Sequence, residues 1–264
     1  MITKATIKRI RSLQHKKFRQ ENKLFIAEGE KIVNDLIIGE KNTVPYEVHS
    51  IFHTNQWNPP VSIINKQHLN FELIQYSELK QISFLSSPNK VLALVRIPEI
   101  ELDQKELSDD LSLVLDSIRD PGNLGTIIRI AHWYGIRNII CSRDSVDMYN
   151  PKTVQSTMGS IWSVKIFYRD LSAFIPELLT EIKAPVYGTD IEGSNIYKLN
   201  LTNNGLILLG NESQGISEGL SSHIDVKLCI PSLSPTFKPD SLNVAHAAAV
   251  ICSEFRRSKM KDKE

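Results

Sequence analysis

The chain is poor in cysteine. Cys141, Cys229 and Cys252 are the only three in 264 residues, and they lie too far apart for a CxxC pair or a zinc-ligand spacing. A disulfide framework and a cysteine metal centre are excluded. An odd, sparse set reads as small buried hydrophobes in a reducing compartment. No apolar run approaches the ~20 residues of a membrane span, and the start, MITKATIKRIRSLQHKKFRQ, lacks the apolar stretch of a secretory signal. A cytoplasmic protein with no membrane and no metal among its partners is expected. The usual phosphate loops are missing too: no GxGxxG follows a strand-like run, and GxxxxGK[ST], HExxH and GxSxG do not occur. A dehydrogenase-like nucleotide binder therefore lacks its glycine fingerprint.

What is present supports globular cores. Hydrophobic residues make up 41% of the chain, and the length suits one large or two modest domains. The net charge of +1 conceals an uneven distribution. Within residues 1–23 the cations Lys4, Lys8, Arg9, Arg11, Lys16, Lys17, Arg19 and Lys23 face Glu21 alone, a local charge of +7. Such an arm suits a phosphate backbone, with Lys8, Arg9, Arg11, Lys16, Lys17 and Arg19 as the RNA contacts and Ile7, Ile10, Leu13 and Phe18 as apolar anchors. The competing reading is a solvated basic helix face.

Three segments follow. Residues 1–98 alternate strand-like and helical patterns: a strand then an amphipathic helix over 24–38, strands at 46–53 and 61–64, a helix around SELKQI, and a strand at 90–97. This predicts a small α/β domain. Residues 99–110 hold six acidic side chains against Lys105 and read as an exposed linker. From 111 to 264, strand and helix patterns repeat, with strands near 111–115, 138–141, 164–167, 186–189, 206–209 and 226–230. A long helix over 241–257 closes the chain, with Ser241 as N-cap. That alternation predicts a mostly parallel sheet covered by helices.

Ligands of open α/β sheets bind beyond the carboxyl ends of the strands, and three such loops carry unusual residues. After 111–115 comes the turn Asp120-Pro121-Gly122-Asn123. It leads into a helix whose apolar side, Leu124, Ile127, Ile128 and Ala131, is interrupted by Arg129. An unpaired buried guanidinium is costly, so Arg129 points to an anionic or hydroxyl-bearing substrate. After 205–209 comes Gly210-Asn211-Glu212, where glycine allows close backbone approach and Glu212 offers a carboxylate. After Ile230-Pro231 a proline-rich loop leads to Ser241-Leu242-Asn243 and a helix of small residues.

NxGxxxR at Asn123, Gly125 and Arg129, GNExxG at 210–215 and IP…SLNV at 230–244 occur in that order. The ordered set resembles the three signature motifs of the SpoU/TrmH family of RNA ribose 2′-O-methyltransferases, and NPKTVQSTMGS at 150–160 is similar to the family's segment between its first two motifs. The resemblance covers about 111–257. Residues 1–98 resemble, more loosely, the family's small ribosomal-protein-like substrate-binding domain. The resemblance implies a C-terminal trefoil knot in the parallel sheet, a homodimer, and S-adenosylmethionine held near Gly210, Asn211, Ile230, Leu242 and Thr189. It assigns the catalytic centre to Arg129, Asn123, Glu212, Ser241 and Asn243. The family's turn after IP is short and contains glycine. Here it is SLSPTFKPD, without glycine, and Phe237 and Lys238 at its tip are candidate RNA contacts. The separate N-terminal domain favours ribosomal over transfer RNA as substrate. A non-catalytic RNA-binding protein on the same scaffold is the competing class.

Overall fold

The computed structural model describes residues 1–39, 43–64, 69–234 and 241–261. The chain divides into two units: Met1–Ile100 with Asp147–Ser163, and Glu101–Val146 with Val164–Glu264. Among the described residues no helix is long and apolar enough to cross a membrane.

The smaller unit is a four-stranded mixed sheet. Its strands β1 (Leu24–Glu28), β2 (Val48–His53), β3 (Phe71–Leu73) and β4 (Val91–Arg96) lie in the order β1-β4-β2-β3. β4 is antiparallel to both neighbours, and β2 and β3 are parallel. β1 is buried throughout, so it reads as a continuous apolar run. Ile10, Leu13, Ile26, Phe52, Leu79, Ile82, Leu92 and Leu94 form one core.

The N-terminal arm is therefore folded, as the helices Lys4–Ser12 and Lys16–Asn22. Lys8, Arg9, Lys16 and Lys17 are exposed. Arg11 is exposed but donates to the Ser83 carbonyl and lies over the Phe84 ring, 5.3 Å from its centroid. Arg19, expected among the RNA contacts, is 2% exposed. Its Nε and Nη2 both donate to Asp147 Oδ2, at 3.0 and 2.5 Å, and its Nη1 donates to the carbonyls of Leu13 and Gln14. With every face of the guanidinium engaged, Arg19 has nothing left for a phosphate. The partner lies 128 positions away, which local charge counting cannot see. Residues 61–64 form a helical turn rather than a strand. The short run VSII carries no pattern that separates the two.

The larger unit is built on six parallel strands: β5 (Leu111–Leu115), β6 (Asn138–Ser142), β7 (Lys165–Arg169), β8 (Val186–Asn195), β9 (Gly205–Leu209) and β10 (Val226–Cys229). The order is β10-β8-β9-β5-β6-β7, with every neighbouring pair parallel. β5, β6 and β9 are buried along their whole length, as strands covered on both faces must be. The acidic segment read as a linker is partly structural. It contains the helix Gln104–Asp109, whose Leu107 is fully buried in the core beside Val114 and Leu208. Glu106 accepts from Lys165 Nζ at 2.9 Å and from Asn138 Nδ2 at 3.2 Å, and Asp110 pairs with Arg256 at 2.6 Å. Ile100, Leu102 and Leu107 among six acids leave little amphipathic signal.

The closing helix runs Val244–Lys261, later than expected, and Ser241 is not its cap. Asn243 is: its Oδ1 accepts from Ala245 N at 2.9 Å, and its carbonyl accepts from Ala247 N. The buried alanines Ala245 and Ala248 let this helix pack on the helix Pro121–Trp133. Cys141 and Cys252 are buried, whereas Cys229, also expected inside, is half-buried with its thiol near the Ile191 carbonyl.

Candidate active site at the switch point of the parallel sheet

The order of the strands selects the site. From β5 the chain moves one way through β6 and β7, then crosses to the other side and fills β8, β9 and β10. Connections therefore leave in opposite directions at the β5–β9 pair, the place where an open sheet leaves a crevice. Leu115 and Leu209 are direct partners at the ends of those strands, and Asp116 N donates to the Leu209 carbonyl. The two following loops thus start side by side.

The first loop leaves β5 through Asp116 and Ser117. Asp116 Oδ2 accepts from Ser217 N at 2.8 Å. Ser117 has φ 57°, an unusual conformation for a residue with a side chain. Straps from the end of β6 hold it: Ser142 Oγ accepts from Ser117 N, Ser117 Oγ donates to Asp144 Oδ2, and Ser145 Oγ accepts from Ile118 N. Hydrogen bonds from the Ser117 and Ser142 side chains keep the Asp144 carboxyl below its ordinary value. Asp120 then caps the helix Pro121–Trp133 by accepting from Asn123 N, with Pro121 in the first turn. Sequence reading missed this support, because serines 25 residues downstream of the loop carry no local mark.

The second loop is a tight reversal. Asn211 and Gly215 exchange backbone hydrogen bonds of 3.0 and 2.9 Å, and Asn211 Oδ1 accepts from Ser213 N and Gln214 N. Asn211 Nδ2 donates to the Ser117 carbonyl at 2.9 Å, which ties this loop to the first. A Cβ on Gly210 would stand 2.2 Å from the Gly215 carbonyl carbon, so glycine is required there.

The third segment arrives as Ser241-Leu242-Asn243. Asn243 Nδ2 donates to Asn123 Oδ1 at 3.0 Å, and Asn123 Nδ2 donates to Glu212 Oε1 at 2.5 Å. Asn123, Glu212 and Asn243, up to 120 positions apart, therefore form one polar chain. Thr189 lies in β8 just beyond Gly188, the last residue of that strand paired with β9. Ile230 follows β10 and is half-buried, and Leu242 is 52% exposed. Of the expected cofactor positions, Gly210 and Asn211 follow β9, Ile230 follows β10, Thr189 lies within β8, and Leu242 comes with the third segment. Among the described residues no hydrogen bond joins Arg129 or Ser241 to the polar chain, and both are exposed. Phe237 and Lys238 lie outside the described residues.

Arg129 does not interrupt the apolar side of its helix. Leu124, Ile127, Ile128 and Ala131 are buried, and at 3.6 residues per turn Arg129 falls about 140° round from Leu124. It shares the solvent face with Trp133, which is 82% exposed. The guanidinium needs no buried partner and is free to meet a ligand from solution.

Fold and site define a class: a parallel-sheet α/β unit with a polar centre assembled from three strand-end loops at the switch point, in a chain that also carries a small α/β unit with an exposed basic face. Within that class the match is specific. The SpoU rRNA Methylase family matches residues 110–253, and an MRM3-like substrate binding domain matches residues 4–93. The chain belongs to the SpoU rRNA methylase family. It is 26% identical over 251 residues to the 23S rRNA (guanosine(2553)-2′-O)-methyltransferase RlmP of Bacillus subtilis, covering 95% of each chain. It is 31% identical over 152 residues to the 23S rRNA (guanosine-2′-O-)-methyltransferase RlmB of Neisseria meningitidis, covering 57% of this chain and 59% of that one. Among solved structures, the AdoMet-bound rRNA methyltransferase of Sinorhizobium meliloti superposes with a TM-score of 0.81 at 26% identity, over 98% of this chain and 96% of that one.

Proposed function

We propose that this protein transfers the methyl group of S-adenosylmethionine to a ribose 2′-hydroxyl of 23S ribosomal RNA. The observation that carries the reading is the Asn243–Asn123–Glu212 chain, which joins all three motif segments at the switch point of the sheet. Relatives named for 23S rRNA support ribosomal over transfer RNA.

The residues present suit the cofactor. Thr189, Gly210, Asn211, Ile230 and Leu242 include no cation, which favours a ligand that itself carries a sulfonium charge. The partly exposed Leu242 and Ile230 offer apolar surface to an adenine. When bound, the cofactor supplies an electrophilic methyl group. The chain's own contribution is positioning, which can remove a large part of such a barrier. Glu212 fixes the Asn123 amide, and Asn123 in turn holds Asn243. Among the described residues Glu212 is hydrogen-bonded to the Asn123 amide and not to Arg129. A guanidinium is a poor proton acceptor but a good bidentate donor to phosphate, so Arg129 binds the phosphate beside the target ribose and steers the hydroxyl. The hydroxyl proton leaves late, to solvent or phosphate.

The family's homodimer and knot complete the reading. Trp133, on the solvent face of the helix Pro121–Trp133, is a large apolar side chain left uncovered and suits a seam between two copies. The exposed cations Lys8, Arg9, Lys16 and Lys17 deliver RNA, and the site of action is the cytoplasm, where ribosomal RNA is made. Residues 1–98 act as the RNA-binding part and 111–264 as the methyltransferase part, with residues 147–163 packing with the former. The test is transfer of radiolabelled methyl to 23S RNA from cells lacking the protein, followed by mapping of alkali-resistant linkages. Heat on titration with S-adenosylmethionine and one new 2′-O-methyl position are expected. RNA binding without cofactor heat would instead identify a non-catalytic RNA-binding protein.

A further inference from the structure

The smaller unit has a cavity of about 290 Å³ that the methyl-transfer reading does not use. Ile26, Glu28, Phe84, Pro151, Lys152 and Gln155 are among its lining residues, drawn from β1, the loop after the helix Tyr76–Ile82, and the helix Pro151–Thr157. Its volume is near the lower bound of ~300 Å³ for small-ligand pockets, which suits one planar heterocycle. A carboxylate sits in it. Glu28, at the end of β1, is 6% exposed. Burial raises its pKa, so holding it ionised costs stability unless donors surround it.

The protein supplies only part of the donors. Glu28 Oε2 accepts from Ser83 Oγ at 2.5 Å and Oε1 from Phe84 N at 2.8 Å. A carboxylate has about four acceptor positions, so each oxygen keeps one lone pair. Phe84 beside it is half-buried and carries the Arg11 guanidinium over its ring. A small cavity lined by Phe84 and by a carboxylate that can accept two further adjacent hydrogen bonds matches a flat molecule with two adjacent donors on one edge. Among the RNA bases only guanine has that edge, in N1–H and N2–H₂. Uracil offers one N–H between two carbonyls, which a carboxylate repels. Adenine and cytosine pair a donor with an acceptor.

We propose that this cavity takes an unstacked guanine of the RNA, with Glu28 accepting from its Watson–Crick edge and the Phe84 side chain packing beside it. The proposal rests on the RNA-substrate reading above and adds a sequence preference located in the smaller unit.

The test uses the full chain and 12-nucleotide single-stranded RNAs carrying one central guanine, inosine or adenine, followed by fluorescence anisotropy. Inosine lacks only the 2-amino group and is expected to bind about tenfold more weakly, the loss of one hydrogen bond to a charged group. Adenine should lose more. Glu28→Gln, which presents a donor to the same edge, should erase the guanine–inosine difference, and Phe84→Leu should weaken all three RNAs. Thermal melting checks folding. If Glu28→Gln fails to fold, Phe84→Leu and the inosine comparison in the unaltered protein still decide. Equal binding of guanine and inosine by the unaltered protein overturns the proposal. So does a difference that survives Glu28→Gln, because it would place recognition elsewhere. Titration with S-adenosylmethionine on the same samples keeps the two readings apart: cofactor binding without guanine preference sinks only the pocket, and guanine preference without cofactor binding sinks only the methyltransferase.

Discussion

If the three motif segments work as one unit, breaking the chain between them should produce strongly non-additive losses. Asn123 Nδ2 meets Glu212 Oε1 at 2.5 Å in a partly buried setting, a charge-assisted bond worth ~1.5–3 kcal/mol. Asn123→Ala and Glu212→Ala should each lower single-turnover methyl transfer by roughly 10- to 100-fold at saturating cofactor. The double variant should be little worse than the poorer single one, giving a coupling of about 2 kcal/mol. Asn243 has two tasks that one pair of substitutions can separate. Its Oδ1 caps the closing helix and its Nδ2 holds Asn123. Asn243→Asp keeps an acceptor for the cap but loses the donor, so the rate should fall while the melting temperature holds. Asn243→Ala should lower both, the cap alone contributing about 1 kcal/mol. Rate losses of Asn123→Ala and Glu212→Ala that simply multiply would refute the shared centre.

Gly210→Ala places a Cβ 2.2 Å from backbone. It should abolish cofactor heat in calorimetry while circular dichroism keeps its helical signal. Arg19→Ala removes the buried partner of Asp147 and should destabilise the smaller unit by ~3–5 kcal/mol, measured by urea unfolding. Lys8→Ala with Lys17→Ala should leave stability nearly unchanged and flatten the salt dependence of RNA binding. Hydrogen bonds from Lys165 and Asn138 hold the Glu106 carboxyl below its ordinary value of 4.5. Its contribution of ~1 kcal/mol is therefore complete above that value and lost as pH falls through the depressed one. Glu106→Gln should reduce the fall in the urea midpoint between neutral pH and about pH 3. Trp133→Glu should shift the mass measured by light scattering from two chains to one. An unchanged mass would refute the proposed seam at Trp133.

Much of the fold was legible because its signals are local. Apolar runs of five residues gave the strands of the parallel sheet to within a residue or two, except that β8 runs on to Asn195. Recurrence at helical spacing gave the helix after Asn123, although its phase needed more care: Arg129 lies about 140° from Leu124 and so falls on the solvent side. Asp120-Pro121 was read as a turn and is also the cap that starts the helix. The segments that escaped are those whose character is set by a distant partner. Leu107 looks like a stray apolar residue in an acidic linker until it joins Val114 and Leu208 in one buried core. Arg19 looks like another cation of a basic arm until Asp147 closes on it.

The candidate site divides in the same way. The sequence by itself determined on which loops the candidate residues stand, because turn formers, glycines and strand ends declare themselves within a few positions. It could not determine that Glu212 reaches Asn123 rather than Arg129, that Asn243 rather than Ser241 caps the last helix, or that Ser142, Ser145 and Asp144 brace the unusual backbone of Ser117. Those outcomes depend on β9 lying against β5 and β6 on its other side. Strand neighbours are chosen by burial of whole faces, a long-range balance that no short window of residues contains.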